Sequence, residues 1–156
     1  MSISNILFVD IETCRPQEYL VHDTRNGELF MKRFKSHWNN VDKQWDEIYN
    51  ENAPFSAEFG KICNISIGQM RGDTFYIKSV AGEDEVEILT QFCISLAKSE
   101  ATRLCAHNGH EFDFPFIARR MWINKIAVPS IIDPFNKKPW EVSDKLYDTM
   151  KIWSGV

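Results

Sequence analysis

The segment from Ile6 to Glu12, Ile-Leu-Phe-Val-Asp-Ile-Glu, constrains the fold more than any other part of the chain. Its unbroken apolar run predicts a central strand that is buried on both faces. Side chains alternate along a strand, so Asp10 and Glu12 point to one side and Ile11 to the other. Two carboxylates on one side of a buried strand need a cation between them, and Mg²⁺, Mn²⁺ or Ca²⁺ would suit oxygen ligands. The alternative is a strand that ends in a polar loop with both acids solvated, and this segment alone leaves both interpretations open.

Composition limits the class of protein. A length of 156 residues and a hydrophobic fraction of 44% predict a single globular domain over residues 1–156. The net charge of -4 argues against broad adhesion to nucleic acid or anionic membranes, but it allows a nucleic-acid enzyme whose metal ions meet the phosphates. No segment has the length of a membrane span, and the first residues show no basic segment followed by an apolar signal core. The four cysteines contain no C-x-x-C pair, which favours reduced thiols and a cytoplasmic location.

The remaining pattern predicts a mixed sheet flanked by helices, which is an α/β fold. A first strand and a hairpin followed by alternating helices and strands are typical of this class. The predicted elements after the first strand are a helical insertion at about 28–52, a hairpin of 61–70 and 74–80, a helix after Gly82, a strand at 103–107, a helix at about 113–122, a loop over 124–140, a strand at 146–148 and the start of a helix at 149–153.

A second acidic segment lies between the predicted strand at 103–107 and the helix that follows it. Asn108-Gly109 provides a bend, and Asp113 stands at or just inside the start of the helix. Asp113 could be a helix cap, but capping is compatible with metal binding. If the two strands are neighbours, Asp113 can meet the acids of the first strand. The alternative of a zinc site at His107 and His110 lacks two further soft ligands nearby.

Two motifs resemble those of the DEDD (DnaQ-like) 3′–5′ exonucleases. Asp10-Ile-Glu-Thr13 resembles their first motif, and Asn108-x-x-x-Phe-Asp113 resembles the second, in the form found in family B DNA polymerases. The wider frame is similar to the predicted PolB-like 3′–5′ exonuclease family of the ribonuclease H-like fold. The further matching segments are Phe59-Gly-Lys-Ile62, Ala106-His-Asn-Gly109, Phe112 to Met121, Lys138-Pro-Trp-Glu141 and Asp148-Thr-Met150.

The resemblance implies an enzyme that removes nucleotides from the 3′ end of a single-stranded nucleic acid, with DNA favoured over RNA. It implies a two-metal mechanism that uses Mg²⁺ or Mn²⁺. Asp10, Glu12 and Asp113 are then the catalytic acids and metal ligands, with Asp10 bridging both ions. An endonuclease of the same fold would share this chemistry.

The resemblance also implies roles for residues beside the acids. Thr13 would meet the terminal 3′-OH, while Asn108 and Phe112 would line the path of the single strand, where an aromatic ring can stack on a base. Asp148 and His107 are expected to support the site without binding the metal.

One departure from the family concerns the fourth acid, which lies in a Tyr-x-x-x-Asp or His-x-x-x-Asp motif on a C-terminal helix. Tyr147-Asp148 does not fit that spacing. The expectation is therefore a C-terminally truncated fold, in which either the natural protein continues beyond Val156 or this version is inactive. The competing class is a non-catalytic exonuclease-like module that binds nucleic acid or a protein partner. A sheet face left uncovered at the C-terminal side predicts self-association.

Overall fold

The computed structural model describes residues 3–16, 24–34, 44–134 and 144–155. The chain divides into two compact units, one of residues 1–13 and 62–156 and the other of residues 14–61. The single domain predicted over residues 1–156 stays a prediction.

Five strands form one mixed sheet. The strands are β1 (Ile6–Cys14), β2 (Lys61–Arg71), β3 (Thr74–Ala81), β4 (Arg103–Ala106) and β5 (Leu146–Asp148). Their order in the sheet is β3-β2-β1-β4-β5. β1 is parallel to β4 and β4 is parallel to β5, whereas β2 and β3 form the predicted antiparallel hairpin. The predicted α/β fold with a mixed sheet is therefore confirmed.

β1 is the middle strand of the sheet, but the prediction that it is buried on both faces is wrong. Leu7, Val9 and Ile11 are buried, whereas Asp10 and Glu12 are exposed. Both acids lie within the strand and on the same side of it, as the alternation of side chains predicts. An apolar run cannot distinguish a strand covered on both faces from one in which half of the apolar side chains remain partly exposed.

The helices are α1 (Arg25–Phe34), α2 (Trp45–Asn52), α3 (Glu85–Ser99), α4 (Asp113–Ile123) and α5 (Thr149–Ser154). The first two occupy the predicted helical insertion, and residues 35–43 between them lie outside the described residues. Within the unit of residues 14–61, Phe30, Ile48, Tyr49 and Ala53 form a small apolar core. No helix among the described residues is long and apolar enough to cross a membrane.

A buried ion pair joins the start of α3 to the end of α4. The side chain of Glu85 accepts hydrogen bonds from Arg120 Nε at 2.9 Å and Nη2 at 2.6 Å, and from Asn124 Nδ2 at 2.8 Å. The same carboxylate also accepts from the backbone N–H of Ile62 at 2.7 Å. Glu85 therefore ties two helices to the first residues of β2.

Several large apolar side chains are exposed to solvent. On the edge strand β3, Phe75 and Ile77 are exposed, and Trp153 on α5 is 92% exposed. Self-association through such a surface stays a prediction.

Candidate active site

The turn between β4 and α4 has a backbone that few residues adopt. Asn108 has a φ of 58°, in the left-handed region that asparagine tolerates better than most residues. Its carbonyl accepts hydrogen bonds from the N–H groups of Glu111 and Phe112. A Cβ atom at Gly109 would lie 2.5 Å from Ala106 Cβ and 2.8 Å from the Phe114 ring, so the turn requires glycine there. The predicted bend at Asn108-Gly109 is confirmed.

Asp148 holds this turn in place from the end of β5. It is 2% exposed, and its carboxylate accepts from the N–H groups of Asn108 at 2.9 Å, His110 at 3.1 Å and Met150 at 3.0 Å. Burial opposes ionisation of Asp148, but the backbone hydrogen bonds from His110, Met150, Asn108 and Lys151 outweigh it and lower the pKa. These bonds use the lone pairs of the carboxylate, so Asp148 organises the turn as a charged acceptor.

Asp113 is the first residue of α4 and lies against the backbone of β1. The helix cap is Phe112, so the interpretation of Asp113 as the cap itself is wrong. The Asp113 carboxylate instead accepts the N–H of Ile11 at 3.1 Å, and the residue is only 4% exposed. Ile11 stands between Asp10 and Glu12, so the second acidic segment meets the first, as expected if β1 and β4 are neighbours.

Burial raises the pKa of Asp113 to about 6. Hydrogen bonds from the backbone of Ile11 and of Asp113 itself act in the opposite direction, while the negative charges of Asp10 and Asp148 raise the pKa further. The carboxylates of Asp10 and Asp148 are therefore close enough to act on Asp113, and a nearby cation would relieve this repulsion.

We expect Asp113→Asn to stabilise the metal-free protein at neutral pH. An acid whose pKa is higher in the folded state gains protons on folding between pH 3.8 and about 6, so its contribution to stability falls as the pH rises through that window. The shift corresponds to about 3 kcal/mol. In urea unfolding with EDTA, the stability of the variant relative to the wild type should therefore rise from pH 4 to pH 7.

A matched control for this prediction is Asp73→Asn, because Asp73 lies exposed in the hairpin turn. Its stability relative to the wild type should change little over the same range. A pH-independent difference between Asp113→Asn and the wild type would contradict the burial argument.

Asp10 and Glu12 face solvent, as the alternative of solvated acids expected, but β1 continues to Cys14 and does not end in a polar loop at these residues. Among residues 3–16, 24–34, 44–134 and 144–155, no group of three or more His, Cys, Asp and Glu side chains is arranged to hold a metal ion. The binding of metal by Asp10, Glu12 and Asp113 therefore stays a prediction. The donor chemistry still fits, because hard divalent cations favour carboxylate oxygens and the mutual repulsion of Asp10 and Asp113 favours a cation.

The two histidines have structural partners. His107 Nδ1 lies 2.9 Å from the hydroxyl of Thr149, and His110 Nε2 donates to the carbonyl of Leu146 at 3.1 Å. Neither contact resembles a zinc site. The contact of His107 with Thr149 brings the start of α5 to the turn, and the hydrogen bonds of Asp148 bring the end of β5 to it. Sequence spacing alone contains no signal for this arrangement.

The remaining predicted residues lie near the same end of the sheet. Thr13 follows Glu12 on β1 and is partly buried. Phe112 is partly buried, and its ring lies 5.4 Å from that of Phe116. Their contacts with substrate stay predictions.

The fold of this sheet recurs in a known polymerase. A family B DNA polymerase from the hyperthermophilic archaeon Pyrobaculum calidifontis superimposes with a TM-score of 0.56 over 96% of this chain, at 13% sequence identity. The chain spans 16% of the length of that polymerase chain. At this identity the likeness shows the fold alone. No curated protein sequence matches the chain.

A sequence family matches the part of the chain that carries the second acidic segment. The family is the exonuclease domain of family B DNA polymerases, and its model matches residues 61–152. That range includes the Asn108 turn, Asp113 and Asp148, but it begins after Asp10 and Glu12. Since the match covers more than half of the chain, and the fold agrees with it, this chain belongs to the family of DNA polymerase family B exonuclease domains.

Proposed function

We propose that this chain is a metal-dependent 3′–5′ exonuclease, which hydrolyses phosphodiester bonds in single-stranded nucleic acid, with DNA favoured over RNA. The observation that carries the proposal is the hydrogen bond from the N–H of Ile11 to Asp113. It joins the family's second motif to the strand that presents Asp10 and Glu12. Membership in an exonuclease-domain family supports a nuclease.

The proposed roles of the acids follow from their charge and location. Asp10, Glu12 and Asp113 would hold two Mg²⁺ or Mn²⁺ ions. Bound ions of this kind activate water and neutralise charge on the leaving oxygen. Asp113 must lose its proton to act as a ligand, and its pKa of about 6 allows this at neutral pH. The hydrogen bond from Ile11 holds one Asp113 oxygen in place, so that the carboxylate cannot rotate freely.

Substrate positioning is assigned to residues beside the acids. Thr13, directly after Glu12, would donate its hydroxyl to the 3′ end of the strand. Asn108 and Phe112 belong to the turn before Asp113 and would line the path of the bases. Asp148 maintains the turn that carries Asn108, because it accepts the N–H group of that residue. His107, which contacts Thr149, would support the same turn.

A non-catalytic module is the second candidate function. The observation that favours it is that the described residues contain no cluster of metal-binding side chains. Such a module would bind nucleic acid or a protein partner without hydrolysis.

We expect this chain to shorten a 5′-labelled single-stranded oligonucleotide from its 3′ end when Mn²⁺ is present. The double variant Asp10→Ala, Glu12→Ala should lose activity by about 100-fold or more, because metal ligation contributes several kcal/mol to catalysis. Denaturing gel electrophoresis resolves the product ladder, and EDTA should abolish it.

The control is Asp73→Ala, which removes an exposed acid from the hairpin turn. It should cleave like the wild type. Equal cleavage by the double variant would refute the assignment of the acids. Absence of cleavage by a correctly folded wild type would favour the non-catalytic module.

A further inference from the structure

A cavity of 310 Å³ lies between the β2–β3 hairpin and the last turns of α3. Its lining includes Arg71, Lys78 and Lys98, and we call these three residues and the cavity the cationic groove. An adjoining cavity of 390 Å³ shares Arg71 and Lys98 with it. The groove therefore concentrates three positive charges in a chain whose net charge is -4.

The three cations of the groove take part in none of the ion pairs found within the described part of the chain. Elsewhere, Arg33, Arg120 and Lys151 form ion pairs with glutamates. No ion pair among the described residues involves Arg71, Lys78 or Lys98; Arg71 lies over the ring of Tyr76 at 5.8 Å, and Lys78 donates to Ser95 Oγ at 3.2 Å. Like charges that share a cavity repel one another, and an anion between them would relieve this repulsion.

The helix dipole explains the position of only one of the three cations. Lys98 lies in the last turn of α3, where a cation interacts favourably with the helix dipole. That argument does not apply to Arg71 and Lys78, because they belong to the hairpin. Glu100 lines the adjoining cavity, but three cations outnumber this single acid.

Hydrogen bonds of a buried side chain hold one wall of the groove in place. Gln69 is buried, and its Nε2 donates to the carbonyl of Ser4 and to that of Ser99, both at 2.9 Å. These bonds link β2 to the segment before β1 and to the end of α3. Tyr76 also lines the groove and is 55% exposed, so the part of its ring that Arg71 does not cover is accessible for stacking.

We propose that the cationic groove binds the phosphate groups of a nucleic-acid single strand, with Tyr76 available to stack on a base. A positive groove with an aromatic side chain is the combination used for single strands. Leu7 lines the groove, and it lies on the opposite side of β1 from Asp10 and Glu12. The groove is therefore separate from the candidate active site, and the inference goes beyond the proposed function because it does not depend on hydrolysis.

Binding of a fluorescein-labelled single-stranded oligonucleotide, measured by anisotropy in EDTA, tests the groove without any hydrolysis. The triple variant Arg71→Gln, Lys78→Gln, Lys98→Gln should bind at least 10-fold more weakly at low salt. In a plot of log affinity against log salt concentration, the slope for this variant should be shallower than that of the wild type by about 2. Each neutralised phosphate of a single strand contributes about 0.7 to the slope, and the variant lacks three cations.

The matched control is the triple variant Arg119→Gln, Lys125→Gln, Lys145→Gln. It removes the same number of charges at exposed positions outside the groove. It should bind within about twofold of the wild type, because the binding of phosphate is local. Equal weakening in both variants would mean that only net charge matters, and unchanged binding in the groove variant would exclude the site.

Competition with inorganic tripolyphosphate distinguishes a strand from a small polyphosphate. We expect tripolyphosphate to displace the oligonucleotide only at much higher concentration than an unlabelled oligonucleotide. Equal competition by the two would overturn the assignment to a strand. Absence of cleavage by the wild type, with oligonucleotide binding in the groove intact, would refute the proposed function alone, so the two proposals fail separately.

Discussion

Asp148→Ala is expected to lower the free energy of unfolding by about 3–4 kcal/mol, which exceeds the usual effect of a point substitution. The Asp148 carboxylate accepts backbone N–H groups of Asn108, His110 and Met150. Alanine would leave these donors without their acceptor in a part-buried region, and each uncompensated group costs free energy. The turn before Asp113 should therefore loosen, and urea unfolding at pH 7 measures the loss.

Two substitutions make this prediction specific. Asp144→Ala removes an exposed acid just before β5 and should change stability by less than about 0.5 kcal/mol. Asp148→Asn keeps one acceptor oxygen and should cost less than alanine. Hydrogen exchange at the amides of Asn108 and His110 should accelerate in Asp148→Ala. Unchanged exchange at these two amides would contradict the proposed role in the turn.

Glu85→Ala is expected to cost about 3–5 kcal/mol, because it removes the carboxylate that is paired with the buried Arg120 guanidinium. The side chains of Glu85 and Arg120 are 8% and 11% exposed, so solvent can compensate little. The substitution also removes the acceptor of the Ile62 N–H and of the Asn124 amide. Chemical denaturation should show the loss as a lower midpoint.

The control for this ion pair is Glu87→Ala, which removes an exposed acid from the same first turn of α3. It should cost about 1 kcal/mol at most, through the helix dipole. The double variant Glu85→Ala, Arg120→Met removes both charges and should recover part of the stability lost in Glu85→Ala. If the double variant loses as much free energy of unfolding as Glu85→Ala and Arg120→Met lose together, the two side chains are not coupled.

Local patterns predicted the parts of the fold that depend on neighbouring residues. The hairpin turns at Gly72, which has a φ of 59°, because glycine adopts the left-handed region without a steric cost. The alternation of side chains placed Asp10 and Glu12 on one side of β1. The bend at Asn108-Gly109 and the position of Asp113 at the start of α4 also followed from local preferences.

Burial of β1 could not be predicted from the apolar run. A run of Ile, Leu, Phe and Val is compatible with one or two covered faces, and the packing partners of each face decide between them. In this fold Leu7, Val9 and Ile11 are buried while the acids face solvent.

The sequence by itself determined which residues carry the candidate chemistry: two acids on one strand, and a third at the start of a helix about a hundred residues later. Only the tertiary structure decided their environment. Asp113 acquires a raised pKa because the fold buries it against the N–H of Ile11, and Asp148 becomes a charged acceptor because β5 ends beside the Asn108 turn. Both effects arise from contacts between residues far apart in the chain, and desolvation and hydrogen bonding depend on that three-dimensional proximity.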